Sequence, residues 1–514
     1  MEQCVTGTVQ VTTPLWNRPE LKRNAILVLV STVVCSFAAH GFLFTNELFS
    51  HDSISYFTYA TGSFSFYTSI GRFVIPIYEW IKGDVAAPWL IGILFTLWMT
   101  LTSLLVTQLL KIRSAVGMIL TSGLLCTNVA LTLTGATYIY CMDEYAFALF
   151  TATAAAWFFT RGRWWILPGV AVLVVSRAVY QAYFTVAACF CFLVILQRLV
   201  CGDRFRSVLL AGIQYLILLA ASFIAYYGVW TFICQTTGVA KRRVEESLLA
   251  GGGMEQILAL VKDANREYVG YLFDSTGVLG HLMVLVHALL IVVLVWKLIS
   301  VLLSKSLFWG NKILLLGLIC LIPTAFNSAS ILLTGSATQL MTFAWELPYL
   351  LLVLCLDPAE KSCNRTAVLR VVPIVLLCCV LWQHTVYANQ VYMKKELDHT
   401  ATVALASRII DRIELTEGYL PGETPVAFVG RLDRNTYLNH GRDEFAELDH
   451  TVGLWSDYSA TYNLGRYLTD YLNYPLVWDT ETDFSRHEEV LSMPAFPSAD
   501  GIRMIDGTVV VKLS

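Results

Sequence analysis

Charge is what this 514-residue chain has least of: Asp, Glu, Lys and Arg make up 14% of it, against 56% hydrophobic residues and a mean hydropathy of +0.61. A soluble globule needs more charge to cover its surface, so the composition excludes one and predicts an α-helical polytopic membrane protein. Clustered basic charge is lacking too. The formal net charge is −3, and a nucleic-acid partner is excluded because a phosphate-binding surface needs a concentrated basic excess. No cysteine lies beyond Cys379, and most of the 13 sit inside apolar runs, among them Cys35, Cys126, Cys189, Cys191, Cys320 and Cys378. That excludes a disulfide or zinc framework. His40, His51, His281, His287 and His384 have no paired spacing, so no metal site and no cofactor is predicted. Gly251-Gly252-Gly253 is a flexible hinge rather than a phosphate loop, since no strand precedes it and no Lys-Ser/Thr follows. Internal repeats and low-complexity segments are missing. No short apolar core with a small-residue cleavage site precedes the first long apolar run, which is read as a retained anchor.

What the chain does have is apolar runs. A hydrocarbon core of about 30 Å takes about 20 residues of helix. Runs of that kind lie at about 24–46, 88–110, 115–135, 144–160, 164–177, 180–199, 207–234, 276–303, 312–334, 338–356 and 367–388, which predicts about 11 transmembrane helices. Residues 164–199 as one helix would be about 54 Å long, so a break near Ser176-Arg177 divides them into a short pair. Basic residues mark alternate short loops: Arg18, Lys22 and Arg23, then Lys111 and Arg113, Arg161 and Arg163, Arg198, Arg204 and Arg206, Lys305 and Lys312, Lys361 and Arg365. This pattern predicts a cytoplasmic N-terminus and an extracytoplasmic C-terminus. Three parts follow: a cytoplasmic segment 1–23, a transmembrane domain 24–388 with outer loops at 47–87 and 235–275, and an extracytoplasmic domain 389–514.

The last part reads as a small α/β domain. Leu397, Val403, Ala404, Ile409, Ile410 and Ile413 recur at helical spacing, and Pro425–Gly430 and Gly507–Leu513 read as strands. The first outer loop differs in kind. Tyr56, Phe57, Tyr59, Phe64, Phe66, Tyr67, Phe73, Tyr78 and Trp80 crowd it, which predicts one or two helices lying at the headgroup level.

Several polar residues stand out against this background. Glu47, His51 and Asp52 open the first outer loop and Arg72 follows about twenty residues later, where a lipid-linked sugar would meet an acceptor. Asp52 suits a base that takes a hydroxyl proton, and Arg72 suits a phosphate through its bidentate fork. The plainer alternatives are a solvated loop carboxylate and a snorkelling arginine, with Glu47 and His51 as helix-end residues. Arg177, followed by Tyr180 and Gln181, lies in an apolar stretch and must face a cavity, an acid or a phosphate. It either joins Arg72 as a donor-phosphate clamp or pairs with Asp143 or Glu144. Glu346 lines a cavity, binds a cation or caps a helix break at Pro348. Lys241, Arg242 and Arg243 run against the positive-inside pattern, and they either contact a phosphate or acidic glycan or are simply solvated.

The entry Asn46-Glu47-Leu48-Phe49-Ser50-His51-Asp52, the following Gly71-Arg72, the helix start Asp143-Glu144-Tyr145 and the turn Tyr180-Gln181-Ala182-Tyr183 resemble the Gtr-type, serotype-converting glucosyltransferases of bacteria. The resemblance runs over most of the membrane portion. It implies a GT-C type enzyme in a bacterial cell membrane that moves glucose from undecaprenyl-phosphate-glucose to a cell-surface polysaccharide such as O-antigen or a cell wall glycan. It further implies membrane lipid, a donor synthase and a donor flippase as partners, and Asp52 as the acid, with Glu47 and Glu144 as helpers. Only one outer-loop acid is evident, so the transfer is expected to be inverting. Two other classes stay open. A lipid-linked glycan transporter or flippase would want intramembrane Arg and Glu, but no inverted repeat is present. An O-antigen polymerase or ligase would carry its large loop between late spans.

Overall fold

The computed structural model of the protein describes residues 19–48, 50, 53–54, 64–242, 253–274, 280–304, 307–333, 335, 337–356, 368–431 and 460–514. The first helix, α1 (Pro19–Thr45), has two apolar faces. Ile26, Leu29, Val30, Val34 and Phe37 point outward, whereas Val28, Ala39 and Leu43 are fully buried. A helix apolar all round is what a membrane requires, since one side meets lipid and the other meets protein. Two short helices follow, α2 (Phe64–Ser69) and α3 (Ile75–Lys82). In α3, Ile77, Trp80 and Ile81 are exposed while Ile75 and Glu79 turn inward, and Gly83, left-handed at φ 82°, stops the helix. α3 is thus a short amphipathic helix within the aromatic loop, its apolar face turned outward.

The helical body continues with α4 (Pro88–Leu109), α5 (Ala115–Cys126), α6 (Val129–Thr137), α7 (Met142–Phe159), α8 (Ile166–Val179), α9 (Phe184–Val200) and α10 (Phe205–Thr237). Close approach of α1 and α4 depends on Gly92, where a Cβ would come within 2.4 Å of the Phe44 ring. Next come the amphipathic α11 (Met254–Phe273), α12 (Gly280–Leu302), the short α13 (Trp309–Cys320), α14 (Ile322–Phe326), α15 (Ser328–Leu332) and α16 (Tyr349–Leu356), and the 47-residue α17 (Val368–Glu414).

Among the described residues, seven helices are long and apolar enough to cross a membrane: Glu20–Thr45, Pro88–Leu109, Ala115–Thr137, Gln181–Val200, Phe205–Thr237, Gly280–Leu302 and Val371–Glu414. The other four predicted spans take shorter forms. Residues 144–160 fall in α7, whose first turn carries Asp143 and Glu144, and 164–177 fall in the 14-residue α8. Residues 312–334 and 338–356 are broken into pieces around Pro323, Asn327 and Pro348. A proline has no N–H to give the preceding turn, so the helix restarts there. The break between α8 and α9 falls at Tyr180, four residues after Ser176, and α8 runs through Arg177.

The chain beyond α17 forms a four-stranded sheet in the order β2-β1-β4-β3, from β1 (Pro425–Val429), β2 (Val477–Trp478), β3 (Ile502–Ile505) and β4 (Thr508–Lys512). β1 runs parallel to β2 and β4, and β3 pairs antiparallel with β4. Side chains alternate along the strands. Val426, Val509 and Val511 therefore pack with Leu405, Ile409 and Ile413 of α17 and with Leu464 of α18 (Ala460–Arg466), while Ala427 and Val510 pack on the other face with Val490 and Met493 around α19 (Glu488–Ser492). The predicted strands are both present, and the last helix of the body is also the first helix of this domain. The hairpin between β3 and β4 turns on Asp506 and Gly507, at φ 47° and 78°. Two successive left-handed residues are the type I′ geometry that Asp-Gly favours. Gly507→Val should cost about 1–2 kcal/mol, read as a lowered thermal midpoint of the C-terminal domain in the purified chain.

Candidate active site

Three segments bring polar groups together at one end of the helical body: the α2–α3 stretch, the start of α7 and the junction of α8 with α9. At the end of α6 the chain makes a short turn through Ile139–Cys141 and starts α7 with Asp143 and Glu144 in its first turn, where carboxylates suit the positive helix end. Both are fully buried, and the cation that meets them comes from α3. Lys82 Nζ lies 3.2 Å from Asp143 Oδ1, 3.3 Å from Glu144 Oε1 and 3.4 Å from the Tyr140 carbonyl, with its side chain 5% exposed. Glu79, one turn back on α3, is buried beside them. Burial would lower the Lys82 ammonium, but Glu144 and Asp143 more than offset it and hold the pKa above its ordinary value. Burial, and then the charge of Glu144, push Glu79 up to about 8 against the pull of Lys82.

Arg72 stands next to this cluster. Gly71 precedes it at φ 81°, and a Cβ there would meet the Tyr226 hydroxyl at 2.1 Å, so only glycine fits the approach. The Arg72 guanidinium donates from Nη1 to the Tyr145 hydroxyl at 3.0 Å and from Nε to Gln181 Oε1 at 3.4 Å. It also lies 5.2 Å from the centroid of the Tyr180 ring, which stacks on Tyr145 at 4.1 Å. Gln181 is fixed in turn, its Nε2 donating to the Ile70 carbonyl at 2.7 Å. The Tyr180 hydroxyl is buried without a hydrogen-bond partner among the described residues. A guanidinium on an aromatic floor beside an unsatisfied phenol has the chemistry to meet an anionic or hydroxyl-bearing ligand.

Arg177 is 4% exposed and is wrapped by rings, with its guanidinium 3.9 Å from the Phe223 centroid, 4.6 Å from Tyr226, 5.2 Å from Tyr227 and 5.3 Å from Phe184. The cation paired with Asp143 and Glu144 is Lys82. Arg177 is nonetheless tied to Arg72: Tyr226, which carries one ring of its cage, donates its hydroxyl to the Gly71 carbonyl at 3.0 Å, and the Val74 N–H donates to the Ala178 carbonyl at 3.2 Å. Lys241 and Arg242 come to the same side. The Arg242 N–H donates to the Ser69 carbonyl at 2.9 Å with the guanidinium 5.4 Å from the Phe66 ring, and Lys241 lies 4.6 Å from the Trp230 ring, whose Nε1 donates to the Thr68 carbonyl.

The remaining residues singled out from the sequence divide differently. Glu346 lies at the opposite end of α6, where Oε1 accepts from the Val129 N–H at 3.2 Å and the Tyr271 hydroxyl at 3.1 Å, with His384 Nδ1 3.5 Å from Oε2. It caps the start of α6 rather than the break at Pro348. Glu47 is exposed at the end of α1, and its charge reaches Tyr471 of the C-terminal domain. His51, Asp52 and Arg243 lie outside the described residues. Among the described residues no group of three or more His, Cys, Asp or Glu is arranged to hold a metal ion.

Lys82 and Glu79 are the members that sequence reasoning missed. The signal was there: Lys82 is in the same outer loop as Arg72, three residues from Glu79 on a helix, and was as eligible a partner for Asp143 and Glu144 as Arg177. A carboxyl held near 8 in the fold, against 4.5 ordinarily, keeps its proton in the folded chain while the unfolded chain has lost it. Stability should therefore fall as pH rises from about 4.5 to about 8 and level off beyond. Thermal midpoints across that range should show the decline in the native protein and a flatter profile in Glu79→Gln.

A family model described as Glucosyl transferase GtrII matches residues 41–356. The match takes in Arg72, Lys82, Asp143, Glu144, Arg177 and Glu346, covers well over half of the 514 residues, and stops before α17. No curated protein and no solved structure matches the chain. With the polar cluster built entirely from matched residues, and the match spanning most of the helical body, the chain belongs to the GtrII family of serotype-converting glucosyltransferases.

Proposed function

We propose that the protein is a multi-pass GT-C type enzyme of a bacterial cell membrane that takes glucose from polyprenyl-phosphate-glucose and adds it to a surface polysaccharide on the outer face. The observation that carries this reading is Arg72, held by Tyr145 and Gln181 over the Tyr180 ring with the Tyr180 hydroxyl left unsatisfied. A phosphodiester at headgroup depth offers that guanidinium a bidentate partner. The interfacial α3, with Ile77, Trp80 and Ile81 exposed, supports a site at that depth.

The acceptor hydroxyl attacks the anomeric carbon of a β-linked donor as the bond from that carbon to the phosphate oxygen breaks. Polyprenyl phosphate leaves with the electron pair and an added negative charge, which Arg72 stabilises. The hydroxyl proton passes to a carboxylate, and Asp52 is assigned that role. Glu144 serves from behind: with Asp143 it fixes Lys82, and so α3, against α7. Glu47 stays an auxiliary acid at the loop entry, and Lys241, Arg242 and Arg243 are assigned to a phosphate or acidic glycan. Arg177 supports the site through Tyr226, which it shares with Gly71.

Purified protein in nanodiscs, given labelled polyprenyl-phosphate-glucose and surface glycan, should incorporate label. No transfer from this donor would overturn the donor assignment. Asp52→Asn should cut turnover by at least about 100-fold with donor binding retained. Arg72→Lys, which keeps the charge and loses the fork, should lower turnover by about 10-fold or more. Arg177→Lys should mainly lower thermal stability. Near-normal turnover in Asp52→Asn would remove Asp52 from the base role. Topology has its own check: reporter fusions at Ser362 and Ser514 should give opposite sidedness, cytoplasmic for the first and external for the second.

A further inference from the structure

The helical body has a second end, about one hydrocarbon thickness from the Lys82 cluster. α7 carries Asp143 and Glu144 in its first turn and is 18 residues long, a rise of about 27 Å. α4 runs beside it in the same direction. Lys82, shortly before α4, meets the start of α7, and further along the Trp98 ring lies 4.9 Å from Phe147 and 5.4 Å from Phe150 between centroids. About three turns remain in each helix beyond this contact, so α4 and α7 finish level. The end of α9 joins them, Gln197 Nε2 donating to the Leu110 carbonyl at 2.6 Å. This end is basic: Lys111, Arg161 and Arg163 are exposed there, while Asp203, in the turn after α9, is already paired with Arg198 at 2.8 Å.

The turn from α7 to α8 gives two of these cations a fixed setting. Gly162, at φ 108°, reverses the chain between them. The Arg161 guanidinium lies 4.1 Å from the centroid of the Trp157 ring and Arg163 5.2 Å from Trp164, while Trp165 stacks on Phe158 with centroids 5.1 Å apart. Neither guanidinium makes a hydrogen bond or an ion pair among the described residues. A guanidinium held face-on to a ring keeps its in-plane N–H fork available for two oxygens of one phosphate. Apolar groups border the fork, since Trp164 is 81% exposed and Leu167, at the start of α8, 76%. The hairpin beneath is tightly closed. A Cβ on Gly169 would come within 2.7 Å of the Phe159 ring, and Ser176 Oγ donates to the Ala148 carbonyl at 2.8 Å.

We propose that the α7–α8 turn, Arg161 to Trp165, binds the phosphate of an anionic phospholipid in the leaflet opposite the Arg72 site. The headgroup supplies the acceptors that both guanidinium groups lack, and Trp164 and Leu167 enter the boundary between headgroups and acyl chains. A free phosphate would satisfy the arginines and leave the indole and the leucine in water, so the occupant is the lipid. The proposal rests on the helical body as a membrane-spanning unit and is independent of the sugar donor and of the reaction.

Native mass spectrometry of the full-length protein, titrated with phosphatidylglycerol, phosphatidylcholine or inorganic phosphate at about 0.15 M ionic strength, provides the test. Phosphatidylglycerol should bind at least about 10-fold more tightly than phosphatidylcholine, and Arg161→Gln with Arg163→Gln should abolish that preference, at about fivefold for each arginine. Trp164→Ala should weaken both lipids by about threefold or more through the lost apolar contact. Lys111→Gln removes a positive charge at the same end without touching the stacked pair, and should leave phosphatidylglycerol affinity within about twofold. Thermal midpoints should stay within about 2 °C of the native protein in every variant, because the substituted side chains are exposed. A loss in Lys111→Gln equal to that of the double variant would make the binding a diffuse effect of basic charge and overturn the site. Equal affinity for the two lipids would overturn it, and so would full displacement of phosphatidylglycerol by millimolar inorganic phosphate.

Discussion

A single ammonium group shared between two carboxylates organises the matched half of this protein. Lys82 projects from a short amphipathic helix into a space where Asp143 and Glu144 have no solvent exposure. Burying one charge there would be prohibitive, and removing one partner from such a cluster typically costs about 3–5 kcal/mol because the others are stranded. The cost makes the arrangement specific. α3 can sit against α7 in only one register, and fixing α3 fixes the Arg72 segment that precedes it. Three carboxylates facing one lysine also leave an excess of negative charge, which, added to burial, raises the pKa of the Glu79 carboxyl.

The two arginines show how one residue type is put to different uses a few residues apart in space. Arg72 is met by directional acceptors and has aromatic rings on one side. Arg177 is met by four ring faces, an environment that accepts a weakly hydrated planar cation and would serve an ammonium less well. Tyr226 joins the two, presenting its face to one arginine and its hydroxyl to the backbone beside the other. The geometry around Arg72 is therefore buttressed by α10 through Tyr226 and by α7 through Tyr145.

Much of this was legible in the sequence. The aromatic loop announced short helices, present as α2 and α3, and Pro425–Gly430 and Gly507–Leu513 announced strands that are present as β1 and β4. Arg72, Tyr180 and Gln181, separated by more than a hundred residues, do meet. Other features were hidden for identifiable reasons. Hydropathy counts apolar residues without regard to whether helix continues, so Pro323 could break an apparent span unseen. An arginine in an apolar run has an evident need for a partner, whereas Lys82, at the end of an amphipathic helix, carries no local sign that it turns inward to Asp143 and Glu144. The burial of Ile54 in the core of the C-terminal domain had no local signature at all, because that core lies some 350 residues further along the chain.

The continuity of α17 has a mechanical meaning. At 47 residues it is about 70 Å long, more than twice the thickness of a hydrocarbon core, and its internal proline, Pro373, lies near its start. Beyond that point it is a stiff mast rather than a tether. A bilayer that thickens or thins changes the tilt of a spanning helix, and a rigid extension converts that tilt into a sideways and vertical displacement of whatever it carries. Where the apolar stretch of α17 crosses a bilayer, the height and inclination of the C-terminal domain would follow the thickness of the surrounding lipid.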